Sequence, residues 1–337
     1  MATKHKNIKR LIHRCLEELN ATIKIAKATC LKDALITLRA KLDIQVMNYN
    51  GFQESEAVKN RLLKKHEIMI KYFEKSFKDF IEKYDYDRPL PNSDPELENC
   101  IWLCWWQGLE KAPELVKKCI ESIKNNAGNH KVIIITEDNY KNYVNIPEWA
   151  EEKKNKRIIS RTHYSDILRL SLLAEHGGMW LDATFFCSDF ALEEYFKYPV
   201  WSIKRPDYGH CSVACGYFAT YALQCHKEER WIFATIRDFF LHYWIINDKQ
   251  IDYLTLDYMI VLAQKKDYRI KKAFSQIAPN NPCCDELYKI LGKPFDENIW
   301  QELKKETSLF KLTWKQEFPK KQNGQDTFYA KLLVGKL

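Results

Sequence analysis

Residues 163–186 read His-Tyr-Ser-Asp-Ile-Leu-Arg-Leu-Ser-Leu-Leu-Ala-Glu-His-Gly-Gly-Met-Trp-Leu-Asp-Ala-Thr-Phe-Phe. Two carboxylates, Asp166 and Asp182, and one guanidinium, Arg169, fall in this single stretch. Asp166 and Arg169 are spaced i,i+3 and share a helix face. Alone, that spacing is what an N-terminal carboxylate and a local ion pair produce. The residues that follow change its meaning. Gly177-Gly178 stops the helix, whose buried stripe is marked by Leu168, Leu172 and Leu173. Met179-Trp180-Leu181 then reads as a short buried strand that delivers Asp182 to its carboxyl end. Open α/β sheets bind their ligands at that end. A carboxylate there is costly unless a metal ion or a cationic partner neutralises it. An arginine fork grips phosphate or sugar hydroxyls, and an aspartate accepts hydrogen bonds from hydroxyls.

Other residues extend this chemistry. Trp105, Trp106, Gln107 and Gly108 end an apolar strand that begins at Ile101. One Trp there can stack on a nucleobase, while its neighbour faces the other side of the sheet and fills the core. Ser165 is read as a helix cap. His163 either lines the site or caps the approach to the helix. Asp257, and less directly Asp207, offer a second carboxylate; a helix-surface or capping role is the alternative for Asp257. There is no Walker loop, Gly-x-Gly-x-x-Gly fingerprint, His-Glu-x-x-His helix or Gly-x-Ser-x-Gly elbow. P-loop, dinucleotide, zinc-protease and hydrolase chemistry are thereby disfavoured.

The elements that must position these groups follow from periodicity. Strands are expected at 101–106, 131–136 and 179–182, with a helix over 112–123 started by Pro113, a short helix at 138–143 and the helix ending at His176. This strand–helix alternation implies a parallel sheet with helices on its faces. Further strands are expected at 200–203 and 211–220, and helices at 230–246 and 255–265. Before this lies a different module. Ile8, Leu11, Ile12, Cys15, Leu16 and Leu19 form a helical stripe flanked by Lys4, Lys6, Lys9, Arg10 and Arg14. Leu31 to Leu42 and Leu62 to Tyr84 repeat the helical pattern. Residues 1–88 are read as a basic helical hairpin or bundle. The Pro-rich run Arg88–Pro95 is the boundary, and 96–337 the main domain.

Charge follows the same division. Of a net +8, residues 1–90 carry 19 Lys/Arg against 12 Asp/Glu, or +7. The module therefore either packs on the main domain or docks on an anionic membrane face or a partner protein. Nucleic acid is not expected, because the basic residues carry no recognised motif. Eleven cysteines, an odd count, do not form a disulfide framework. Cys100/Cys104, Cys211/Cys215 and Cys283-Cys284 miss the usual zinc spacing, so reduced thiols are expected even with His210 and His226 nearby. No apolar run is long enough to span a bilayer or to serve as a signal peptide, which implies a cytoplasmic chain, with peripheral attachment at the inner membrane face as an option.

Residues 100–187 resemble the capsular polysaccharide synthesis family of bacterial glycosyltransferases. The resemblance rests on Ile101-Trp-Leu-Cys-Trp-Trp-Gln-Gly-Leu-Glu-Lys-Ala-Pro113, Ser165-Asp-Ile-Leu-Arg169 and Gly177-Gly-Met-Trp-Leu-Asp-Ala-Thr184. It continues more weakly through Leu256-Asp-Tyr258, Pro279-Asn-Asn-Pro282 and Lys311-Leu-Thr-Trp-Lys315. The same core is similar to the DXD sugar-binding region of clostridial glucosylating toxins and fungal mannosyltransferases. The resemblance implies a GT-A fold, Rossmann-like with a mainly parallel sheet. It also implies transfer of a hexose or deoxyhexose from a nucleoside-diphosphate sugar to a hydroxyl of a lipid-linked saccharide. By position, Trp105 matches the base-stacking aromatic. Asp166 and Arg169 match the pair around the donor sugar and its ribose or phosphate. Asp182 matches the first DXD carboxylate, which touches the ribose or the metal. The third motif position is Thr184 instead of Asp. Either Asp182, waters and diphosphate oxygens hold Mg²⁺ or Mn²⁺, or basic groups such as Arg169, Lys311 or Lys315 neutralise the diphosphate without a metal. The relatives retain configuration, and retention is the expectation here; an inverting enzyme would need a carboxylate base close to the acceptor hydroxyl, with Asp257 or Asp207 available. A phosphotransferase using Asp182 would require an Asp two residues on, which Ala183-Thr184 does not supply. The missing carboxylate leaves a catalytically degenerate scaffold as the non-enzymatic alternative.

Overall fold

The structure, a computed structural model, describes residues 16–188 and 190–337. The basic stripe beginning at Ile8 lies mostly outside the described residues. Its continuation is helix α1, over 16–28. Helices α2 (Leu31–Tyr49), α3 (Glu56–Ser76) and α4 (Lys78–Lys83) follow. The sheet then begins with β1 (Ile101–Cys104), α5 (Glu114–Asn125), β2 (Val132–Ile135), α6 (Glu148–Asn155), α7 (Arg161–His176) and β3 (Gly178–Leu181). After it come β4 (Phe185–Cys187), β5 (Val200–Ser202), β6 (Ala222–Cys225), α8 (Arg230–Ile246), α9 (Thr255–Lys266) and α10 (Tyr268–Ser275). The tail holds α11 (Leu287–Ile290), α12 (Glu297–Lys304), β7 (Leu309–Lys311), the small ribbon β8 (Lys321–Gln322) and β9 (Gln325–Asp326), and α13 (Phe328–Leu333). The expected short helix at 138–143 is a single 3₁₀ turn, Tyr140–Asn142.

The central sheet has the order β2-β1-β3-β6-β5. β1 runs parallel to β2 and β3, as the strand–helix alternation requires. β6 is added antiparallel to β3, and β5 antiparallel to β6, so that β5 again runs in the direction of β1–β3. No α-helix lies between β3 and β6 to make the crossover that a parallel addition needs. The expected strand at 211–220 is instead a tight loop. Arg205 donates from its backbone N–H to the Gly216 carbonyl at 2.7 Å, and Asp207 to that of Cys215 at 2.9 Å. Gly216 has φ +78°, and a Cβ there would fall 1.9 Å from the Arg205 carbonyl oxygen. Only glycine fits this turn.

The Gly-Gly stop has a similar origin. Gly177 ends α7 with φ +72°. Gly178 has φ +83°, and a Cβ on it would lie 2.3 Å from the Cys100 carbonyl oxygen. The missing side chain lets β3 close against β1, where Met179 donates to the Cys100 carbonyl at 2.8 Å. Trp102 on β1 returns the contact by donating to the Gly177 carbonyl at 2.9 Å. Helix α7 packs against α8 and beneath β1 and β3, and it is buried nearly all round. That explains why its apolar pattern is richer than one stripe.

Helices α1 and α3 share the main hydrophobic core. Ile25, Ile68, Met69, Phe73 and Phe77 lie in one cluster with Trp102, Trp180 and Tyr258. Polar contacts reinforce this seam. Lys65, fully buried on α3, meets Asp252 at 2.8 Å in the loop before α9. His66 bonds the His210 carbonyl at 2.8 Å and the Tyr258 hydroxyl at 2.7 Å. A carbonyl only accepts, so Nε2 carries the proton and Nδ1 accepts from Tyr258. Burial, with Lys65 beside it, lowers the His66 pKa to about 4, and the ring is neutral.

Burial opposes ionisation of Asp252, but Lys65 and Lys41 outweigh it and bring its pKa down to about 2. A depressed acid stabilises the fold above its unfolded pKa and loses that contribution as pH falls. The Lys65–Asp252 contribution should therefore disappear between about pH 4 and pH 2. Replacing Lys65 by Met strands a buried carboxylate and should cost about 3–5 kcal/mol, measured by denaturant titration at pH 7. An unchanged midpoint would show that the pair does not hold the seam.

Candidate active site

Asp182 follows β3 directly, at the carboxyl end of the parallel strands. Its carboxylate is 30% exposed and is flanked by two cations. Arg169 Nη2 stands 3.7 Å from one oxygen, and Lys311 Nζ 3.1 Å from the other. Trp180 Nε1 also donates to the carboxylate, at 3.2 Å. Burial raises the Asp182 pKa, but Lys311 and Arg169 overcome that and hold it below the usual carboxylate range. The group is an anion at neutral pH.

Arg169 is 8% exposed and committed to the protein. Its Nη2 is shared between Asp166, at 3.2 Å, and Asp182, and its Nη1 donates to the Thr220 carbonyl at 2.5 Å. Its guanidinium lies over the Trp180 ring, and its Nε is buried without a partner. Asp166 is buried, and burial raises its pKa against the pull of Arg169. The i,i+3 pair on α7 is thus also a clamp across to β3.

Lys311 arrives from the far end of the chain. β7 pairs antiparallel with β4, setting Lys311 opposite Phe185, and the Lys311 N–H donates to the Cys284 carbonyl at 2.8 Å. The ammonium donates to Thr184 Oγ1 at 2.5 Å as well as reaching Asp182. Thr184 itself is buried and ties the strands further through Leu312 N–H to its carbonyl at 2.9 Å. Lys315 is exposed and makes no ion pair with Asp182 among the described residues.

Strand β1 ends at Cys104, short of the expected 106, so both tryptophans lie beyond it and packing, not strand alternation, divides them. Trp106 is buried among Tyr140 and Tyr164 and donates to Ser165 Oγ at 2.8 Å. It belongs to the core. Trp105 is half-buried, edge-on to Trp314 at 5.6 Å, with its indole N–H buried and unpartnered. Gln107 is exposed in the turn that follows. Ser165 is not the helix cap. The cap is Ser160, whose side chain accepts from the His163 N–H, and Ser165 Oγ donates back to the Arg161 carbonyl. The helix begins a turn earlier because Ser160 precedes it with the same capping chemistry. His163 is buried beside Trp244 and Tyr253, bonded to Ser160 at 2.7 Å. It packs the helix start.

Asp257, near the start of α9, is buried and accepts from Ser212 at 2.7 Å. Burial, with Asp166 adding to it, raises its pKa to about 7. Asp207 is exposed in the 205–216 loop with φ +61°. Three neighbours had no sequence signal of their own. Tyr253 is exposed, touches His163 and feels the charges of Asp166 and Asp182. Ser212 sits in the misread loop. Trp314 lies inside the Lys311–Lys315 run but gains meaning only from its contact with Trp105.

These residues do not fit a two-carboxylate divalent-ion site. Asp182 is already bound by two cations and an indole, and the Thr184 hydroxyl is used by Lys311. Among the described residues, the His/Cys/Asp/Glu groups close enough to share an ion are His226, Glu228 and Glu229. They follow β6, whose end pairs with the start of β3, at the opposite edge of the sheet from Asp182. The ten described cysteines are free thiols.

Fold and site together define an α/β protein with a cation-flanked carboxylate at the carboxyl edge of its parallel strands. Residues 49–332 match the family described as capsular polysaccharide synthesis protein, and the chain belongs to that family. Membership ties it to capsular polysaccharide synthesis. No curated protein and no solved structure matches it. The match begins before α3, so it includes that helix with the sheet.

The raised Asp257 pKa makes a signed prediction. An acid whose folded pKa exceeds its unfolded value destabilises the fold progressively as pH rises between the two. Stability of the wild type relative to Asp257→Asn should fall from about pH 4 to about pH 7, by up to ~1.4 kcal/mol per pH unit, then level off. Paired thermal melts across that range read it directly. A flat difference would place the Asp257 titration elsewhere.

Proposed function

We propose that the protein is a GT-A glycosyltransferase that moves a hexose or deoxyhexose from a nucleoside-diphosphate sugar to a hydroxyl of a lipid-linked capsule or surface-saccharide intermediate. The observation that carries this reading is the convergence of Asp166, Arg169, Asp182 and Lys311 at the carboxyl end of β3, with the half-buried Trp105 following the carboxyl end of the parallel neighbour β1. A family tied to capsule synthesis supports the substrate class. Trp105, with Trp314 at its edge, offers the face for the base. Asp166 and Asp182 accept hydroxyls of the sugar and ribose. Arg169 positions both carboxylates rather than reaching out itself.

In the transfer, the bond between the anomeric carbon and the diphosphate oxygen breaks, and its electron pair leaves with the diphosphate. The acceptor hydroxyl oxygen bonds to the anomeric carbon and gives up its proton. In the retaining course the departing diphosphate oxygen takes that proton; Asp257, whose burial raises its pKa to about 7, is the base available to an inverting one. Retention of configuration is the stereochemical expectation. A non-catalytic scaffold is the alternative that a failed assay would favour.

We further propose that the N-terminal helices dock on an anionic membrane. Leu31, Leu35, Leu42, Val46 and Tyr49 are all exposed and fall on one stripe of α2. Lys32 and Arg39 border it, and the excess positive charge of residues 1–90 complements anionic headgroups. No helix among the described residues is long and apolar enough to cross a membrane.

Donor turnover with UDP-, GDP- and dTDP-sugars tests the reaction. Asp182→Ala should reduce kcat by roughly 10²–10³-fold, and Trp105→Ala should weaken donor binding by about 1–3 kcal/mol. Full activity in Asp182→Ala would remove the site from the reaction. For docking, the protein should co-sediment with phosphatidylglycerol vesicles and not with phosphatidylcholine alone. The triple change Leu35→Glu, Leu42→Glu, Val46→Glu should abolish that. Sedimentation unaffected by these changes would exclude the stripe as the membrane contact.

A further inference from the structure

We infer that Lys311 stands where a DXD-type transferase would hold its divalent ion, and that the leaving diphosphate is stabilised by this ammonium without a metal. The inference rests on the transferase reading above and names the cation of its site.

Four observations carry it. First, the two motif positions that would face an ion, Asp182 and Thr184, converge on one atom, Lys311 Nζ, at 3.1 and 2.5 Å. Second, the missing carboxylate matches this partner. A monovalent ammonium is balanced by one carboxylate and satisfied by a neutral hydroxyl, whereas a divalent ion calls for more anionic oxygen. A divalent ion bound at Asp182 would also be repelled by Lys311 and Arg169. Third, the ammonium is held in place before any substrate arrives. The β4–β7 pairing fixes its backbone, and it stands 5.5 and 5.8 Å from the ring centroids of Phe185 and Tyr221. Preorganised charge of this kind is what stabilises a leaving group without reorganisation. Fourth, Lys311 is the accessible cation of the pair. Its side chain is 23% exposed against 8% for Arg169, and Asp182 and Thr184 together use two of its three N–H donors.

The step balances without a further reactant. As the anomeric C–O bond breaks, its electron pair settles on the diphosphate oxygen, which accepts a hydrogen bond from the remaining Lys311 N–H, while the acceptor oxygen forms the new bond to the anomeric carbon.

The test is calorimetric binding of UDP, GDP and dTDP, with donor turnover alongside, in excess EDTA and in Mn²⁺ or Mg²⁺. Binding and rate in EDTA should stay within about twofold of those with the ion, since preorganised protein charge replaces it. Lys311→Met should lower kcat roughly 100-fold, as loss of one preorganised donor does, and Lys311→Arg should recover part of it. Binding or turnover lost in EDTA and restored by Mn²⁺ would overturn this inference and leave the transferase standing. So would a folded Lys311→Met enzyme with wild-type kcat. If none of the three nucleotides binds under either condition, the transferase reading falls, and this inference with it.

Discussion

The Asp182 carboxylate sits between Arg169 and Lys311, and the three groups come from a strand end, a buried helix and the C-terminal tail. An anion at that depth persists only while both cations stay in reach. Each cation is in turn tethered: Arg169 by Asp166 and the Thr220 carbonyl, Lys311 by Thr184 and the strand pairing of β7. The site is thus a junction of distant segments. That dependence makes β7 part of the site, although it lies far from the motif in sequence.

Backbone constraints place the junction. Gly178 allows β3 to approach β1 closely enough to pair, and Trp102 closes the same turn from the other side. Gly216 lets the 205–216 loop fold back on Arg205, so that Ser212 meets Asp257. Without these two close approaches, neither carboxylate would be presented where it is.

The N-terminal helices contribute to the site through one buried contact. Lys65 on α3 holds Asp252, and Asp252 accepts from the Leu254 N–H at the start of α9. Between them lies Tyr253, which faces the site, and a turn later Asp257. Helix α3 therefore supports the rim of the site from beneath, while α2 turns an apolar stripe outward. One helical region combines packing inward with an exposed apolar face outward.

By itself the sequence determined the parallel β1–β2–β3 unit, the Gly-Gly stop and the Asp182 position, because each depends on local periodicity or on a residue type with one conformational use. Strand alternation did not separate Trp105 from Trp106, because β1 ends at Cys104 before either. The resemblance singled out Trp105, and packing is what buries Trp106 among Tyr140 and Tyr164. The antiparallel addition of β6 and β5, the turn at 205–216, and Ser160 rather than Ser165 as the cap depended on contacts or on competition between equivalent local signals. The resemblance offered Arg169, Lys311 and Lys315 as the basic groups here, and tertiary structure decided that Lys311, with Arg169, pairs with Asp182. Lys311 lies more than a hundred residues away, and its spacing carries no information about a strand pairing that only the folded chain can make.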